Sequence, residues 1–180
     1  MQSPKDRFIQ NHQAIVRVTA LWACSEAFLG GLLHAVRFPL AGMVLATFAS
    51  ICISVLALCS ISRGTILKAT LVVIIVKFTL SPHSPILAYL AVAIQGAVGE
   101  IVYYRNQNKF SAAFISLFSL MYSAVQQLLI VWILLGKEFY EALHIYLTKL
   151  TQSFLPQSEN IILYIIWMYL IVYFIAGIIA

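Results

Sequence analysis

The sequence predicts an all-α membrane protein, a bundle of about six transmembrane helices with both termini in the cytoplasm. Composition is the first reason. Of the 180 residues, 62% are hydrophobic and only 9% are charged, whereas a soluble domain carries about 25% charged residues. A chain this poor in charge cannot cover a water-facing surface, and its mean hydropathy is +0.96. The second reason is the length of the apolar runs, which approach the roughly 20 residues that a spanning helix needs. The third is the backbone. Away from water every N–H and C=O needs an internal partner, so only helices or closed barrels span, and these runs are too long for barrel strands.

The helices are expected at about 15–34, 40–61, 65–80, 86–104, 111–136 and 160–180, within one transmembrane domain over 1–180. The third run, "TILKATLVVIIVKFTL", is short and carries Lys68 and Lys77. Pro39 and Pro85 stand at the starts of the second and fourth. Proline suits a first turn because its missing N–H has no intrahelical partner there. Between the fifth and sixth runs, Phe139, Leu143, Tyr146, Leu147 and Leu150 recur at helical spacing with charges between them. That pattern predicts an amphipathic interfacial helix over about 137–155, or a helical excursion packed on the bundle. The N-terminus is polar and lacks the apolar core of a signal peptide.

Lys and Arg collect in cytoplasmic loops. With the N-terminus inside, Lys5, Arg7, Arg17, Arg63, Lys68, Arg105 and Lys109 lie at inner ends and Arg37, Lys137 and Lys149 at outer ends, with Lys77 left near the outer end of the third helix. The bias orients the bundle, and a bacterial inner membrane is the expected location. Three connections then lie outside, 35–39, 81–85 and 137–159, bringing His34, Arg37, His83, Glu138, Glu141 and His144 to one end. The "SPHSP" loop is stiff, because each proline fixes its own φ and restricts the residue before it. His83 is therefore a candidate for the rim of an outward pocket, or a solvated loop histidine.

Ionisable residues at membrane depth are expensive and mark functional sites by default. Glu26, midway along the first helix, is the clearest. It is either paired with a lysine of another helix or part of a substrate or proton site. Lys68 and Lys77 point about 180° apart, nine residues at 100° each, so they cannot share a face. Lys68 can snorkel, while Lys77 lies near the outer mouth. Gln95, Gln126 and Gln127 suit interhelical hydrogen bonds, and Glu100 suits an interfacial anchor beside Arg105. The substrate-binding candidates are His34, Arg37, Lys77, His83, Glu26 and Gln95. Ala20, Ala23, Ala27 and Gly31 form a small-residue stripe that admits another helix closely, so they are candidates for contact with a partner helix. "AVAIQGAVG" repeats the theme with Ala93, Gly96, Ala97 and Gly99.

Other chemistries find no support. HExxH, GxSxG and Walker A motifs are absent, and the chain reads as a non-enzyme. His12, His34, His83 and His144 lack a metal-ligand spacing, so no metal is expected. Cys24, Cys52 and Cys59 sit in apolar runs without CxxC spacing, as small apolar residues do. No basic stripe interleaved with aromatics suggests nucleic acid.

In length, helix number and topology the chain resembles the substrate-binding S components of energy-coupling factor (ECF) transporters. The resemblance is architectural and covers most of the chain. It includes the Ala-x-x-x-Ala of "ACSEA" (Ala23, Ala27) and "HAVRFPLAGM" as a first outer loop. It implies that Ala23 and Ala27 contact a coupling membrane subunit, and that His34, Arg37 and His83 belong to a pocket or gate. It departs at residue 2, which is Gln where nickel and cobalt members carry a Met-His start. The expected function is a solute-binding membrane subunit that captures a small solute from outside. It would bind no cofactor itself and rely on partner subunits, including an ATPase module that uses ATP. The alternatives are a structural or assembly subunit of a larger membrane complex, and a proton-coupled secondary transporter using Glu26.

Overall fold

The computed structural model describes residues 4–36, 40–59, 62–82, 84–105, 108–151 and 161–180. Among them there are helices and no strand. Helix α1 (Pro4–Cys24) passes through a π-helical turn (Ser25–Leu29) into α2 (Gly30–Ala35). Beyond it come α3 (Ala41–Cys59), α4 (Thr65–Leu80), α5 (Ile86–Arg105), α6 (Lys109–Thr151) and α7 (Ile161–Ile179).

Four segments are long and apolar enough to cross a membrane: Gln10–Leu33, Ala41–Cys59, Ile86–Arg105 and Lys109–Ile130. Helix α4 has 16 residues, about 24 Å at 1.5 Å per residue, short of a hydrocarbon core of about 30 Å. In α7 the apolar stretch Leu163–Ile179 is also shorter than those four.

Two boundaries differ from the sequence expectation. The first helix begins at Pro4 rather than near residue 15. Hydropathy finds only the part of a helix that is apolar, whereas "KDRFIQNHQ" has no helix breaker after Pro4, and proline is tolerated in a first turn. Helix α6 runs on to Thr151, bent at Gly136 (φ 60°, ψ −170°). The segment expected to be amphipathic thus continues α6 past a break. Only glycine adopts that backbone readily, and a Cβ there would meet nothing. Glu141 is exposed, and 152–155 lie outside the described residues.

The helices alternate in direction. Lys77 meets Glu26, and one groove runs from His12 and Thr65 to Ala23 and Val76, so α4 runs parallel to α1. Glu100 meets Ile66, Gly96 meets Thr70 and Tyr89 meets Ser81, so α5 runs against α4. Ser54 pairs with Tyr103 and Ile53 with Gly99 where α3 and α5 cross. Gly177 touches Leu117 while Tyr173 reaches Gln127, so α7 runs against α6. Helix α3 packs against α1, α4, α5 and α6 and is the hub.

Two cores result. The larger joins α1, α3, α4, α5 and the start of α6 around Trp22, Ile53, Leu56, Val73, Val92 and Ile115. The smaller joins α3, α6 and α7 around Ala46, Leu120, Ala124 and Tyr173. Glycine allows the tightest crossings. A Cβ on Gly96 would collide with Thr70, whose hydroxyl is held by the Ile66 carbonyl, and one on Gly99 would lie 2.5 Å from Ile53. In lipid, such close approach replaces the hydrophobic drive between helices.

Candidate functional site: a buried ion pair at a π-helical turn

Glu26 sits in the π-helical turn, and Lys77 one turn from the end of α4. Lys77 Nζ donates to Glu26 Oε2 at 2.6 Å, and each side chain is only 4% exposed. A π turn holds one residue more than an α turn and is often found at functional sites. The inserted residue rotates the helix beyond it, and here Glu26 and Ala27 both face inward. The Gly30 N–H reaches back to the Ser25 carbonyl in the wide-turn pattern. Ser25 Oγ donates to the Trp22 carbonyl at 2.8 Å.

The pair has aromatic neighbours. Lys77 Nζ lies 5.9 Å from the centre of the Tyr89 ring, and Tyr89 Oη donates to the Ser81 carbonyl at 2.7 Å. The Tyr89 ring is thereby tied to the chain just past α4. Trp22, one helical turn before Glu26, is fully buried and its Nε1–H has no hydrogen-bond partner. An unmade bond to a buried donor costs about 1–3 kcal/mol.

Electrostatics explains why Glu26 and Lys77 occur together. Each ion loses several kcal/mol of hydration on burial, and attraction repays this only with good geometry. Removing one partner leaves a bare buried charge. Among the described residues this is the one Lys–Glu salt bridge.

Of the residues singled out from sequence, Glu26 and Lys77 meet. Gln95 is buried on α5. Ala23 and Ala27 are also buried, so the close approach they allow is used within the chain. Ala20 is exposed, and Gly31 is half-buried with Ser81 Oγ 3.6 Å from its Cβ position. The end of the first helix thus abuts Ser81, just past α4. His34 belongs to α2, but its side chain, like Arg37 and His83, lies outside the described residues. As the 180° separation requires, Lys77 is buried and Lys68 exposed. Among the described residues, no three His, Cys, Asp or Glu side chains converge as a metal site.

Two polar sites were marked in the sequence only in part: Glu100 as an interfacial anchor beside Arg105, and Gln127 as an interhelical hydrogen-bonding residue without its partners. Glu100 accepts hydrogen bonds from the Gly64 N–H (2.6 Å) and the Ile66 N–H (3.0 Å). It caps α4 from a neighbouring helix. The signal in the sequence is the glycine before Thr65, which supplies no side-chain cap, so the orphan N–H groups need an acceptor from elsewhere. In the smaller core, Gln127 Oε1 accepts from both Tyr169 and Tyr173. Tyrosine spacing on α7 carries a weak signal, since residues four apart share a face.

Comparison of the chain with protein-family models, curated proteins and solved structures returned no match.

Proposed function

We propose that this chain is an integral membrane subunit of a solute transporter, with six spans and both termini cytoplasmic. It captures a small solute from the outer side and takes its energy from partner subunits. One observation carries the reading: a charged pair buried beside the π-helical turn, α4 and the Tyr89 ring of α5, next to Ser81. Ion pairs at membrane depth are costly and mark substrate or ion paths. A solute with a charged group exchanges with one partner of such a pair and inherits a desolvated counter-ion. The unpartnered Trp22 N–H adds a donor one turn away. The alternating helix directions bring the end of α2, the start of α3, the end of α4 and the start of α5 to the same end as the pair, and the Lys and Arg bias makes that end the outer one. Helices α4 and α7 complete the six spans.

The test is a thermal-melting screen of the purified chain in mild detergent against water-soluble vitamins, divalent metal ions and small anions, with mass spectrometry of co-purifying proteins. A bound solute at 100 times its Kd adds about 2.7 kcal/mol of stability, which raises the melting midpoint. The reading expects such a rise for one member of the panel, together with an ATPase partner. No rise, and partners from a complex without an ATPase, would overturn it.

A second reading, a structural or assembly subunit, is favoured by the closure of the pair. Both ends are buried and matched to each other at 2.6 Å, as a strut between α1 and α4 requires. The two readings differ in whether the chain binds a solute at all; where it does, loss of binding on replacement of the pair as a unit places the solute at the pair.

A further inference from the structure

We infer that the groove between α1 and α4 binds one acyl chain of a membrane lipid that carries an anionic headgroup. The inference rests on the reading of α1 and α4 as membrane-spanning, and not on the solute.

The groove has a volume of about 650 Å³ and follows α1 from His12 to Ala23 and α4 from Thr65 to Val76. Each of those stretches climbs about 16 Å at 1.5 Å per residue. That is one leaflet of a hydrocarbon core about 30 Å thick. A partner's transmembrane helix needs a seat through both leaflets, whereas an acyl chain needs one. The walls are apolar and open, with Val16 56% and Val72 47% exposed. Between them Ala20 and Ala23 leave a trough.

Four of the groove's five polar lining residues gather at one end; the fifth, Thr19, lies midway and donates its hydroxyl to the Ile15 carbonyl. His12, Ser62, Thr65 and Lys68 line the groove there, and none of its lining residues is acidic. The Lys68 ammonium reaches along its apolar stem toward the headgroup layer. In the proposed orientation this is the cytoplasmic end, where basic side chains between helices hold anionic headgroups. Glu100 stands at the same end of α4, but on α5, with its two oxygens on the Gly64 and Ile66 N–H groups.

The experiment offers the purified full chain equimolar phosphatidylglycerol and phosphatidylcholine in mixed micelles and counts the retained lipids by native mass spectrometry. The expected preference for phosphatidylglycerol is roughly fivefold, the contribution of one basic residue at an anionic surface. Lys68→Gln brings the ratio close to one, Lys68→Arg keeps it, and Arg105→Gln, at the end of α5, leaves it unchanged. Ala20→Phe fills the trough and lowers retention of both lipids, with melting curves showing that each variant is folded. Equal retention by the wild type, or a ratio indifferent to Lys68→Gln, overturns the proposal. So does a protein that co-purifies with the wild type and is released by Ala20→Phe while the lipid ratio stays fixed. Recovery of the chain in the soluble fraction without detergent would instead overturn the membrane reading.

Discussion

The two cores of this molecule solve the same problem in opposite ways. Around α1, α4 and α5 the buried polarity includes a charged pair, Glu26 against Lys77, beside neutral groups such as Thr70 and Gln95. Around α6 and α7 it is neutral: the Gln127 amide oxygen shared by Tyr169 and Tyr173. Neutral groups lose little on leaving water once hydrogen-bonded, and amide bonds of this kind join membrane helices at about 0.6 kcal/mol each. A charged pair loses several kcal/mol per ion and recovers it only through geometry. Helices can be joined without charge, as the α6–α7 half demonstrates. The cost accepted in the other half is the reason to look for a function at Glu26 and Lys77.

The sharpest way to break the contrast is to remove one ion. Lys77→Met leaves Glu26 buried and unpaired, and is expected to cost about 3–5 kcal/mol, read as a large fall in melting midpoint in detergent. Glu26→Gln with Lys77→Met removes both charges and should recover most of that loss. If the single and double variants melt alike, the pair is not coupled. Gly96→Val comes next. It drives a branched side chain into Thr70 and should cost about 1–3 kcal/mol by overpacking, whereas Ala93→Val, half-buried on the same helix, should cost less. Glu100→Gln weakens the cap on α4 by replacing a carboxylate acceptor with an amide. The expected loss is about 1–2 kcal/mol, seen also as faster hydrogen exchange at Gly64 and Ile66. Smallest is Gln127→Leu, about 1 kcal/mol or less. A loss there equal to that of Lys77→Met would erase the difference between the two halves.

Much of the helical architecture was legible, because an apolar run near 20 residues in length has few other uses. The opposition of Lys68 and Lys77 came from 100° per residue alone. Glu26 and Lys77 each drew notice as ionisable residues in apolar surroundings. Pairing of Glu26 with a lysine of another helix was one of the alternatives, but the choice of Lys77 was not legible, because it depends on how far two helices slide past each other, and the partners are 51 residues apart in sequence. The π-helical turn has no composition of its own: "SEAFL" reads as ordinary helix, and its extra residue is fixed by packing. The small-residue stripe on α1 was visible, but not its division. Ala23 and Ala27 turn inward and Ala20 stays exposed, because the bundle around α1 is closed only on the α3 and α4 sides. The Glu100 cap was hidden because the helix it caps lies elsewhere in the sequence.

The most direct measurement of the central claim is solute binding by the variant that carries both Glu26→Gln and Lys77→Met, once its melting curve shows it folded. The account predicts that the melting shift caused by the solute in the wild type disappears in this variant. A folded double variant that binds the solute as tightly as the wild type would contradict it, and would leave the ion pair as a strut between α1 and α4.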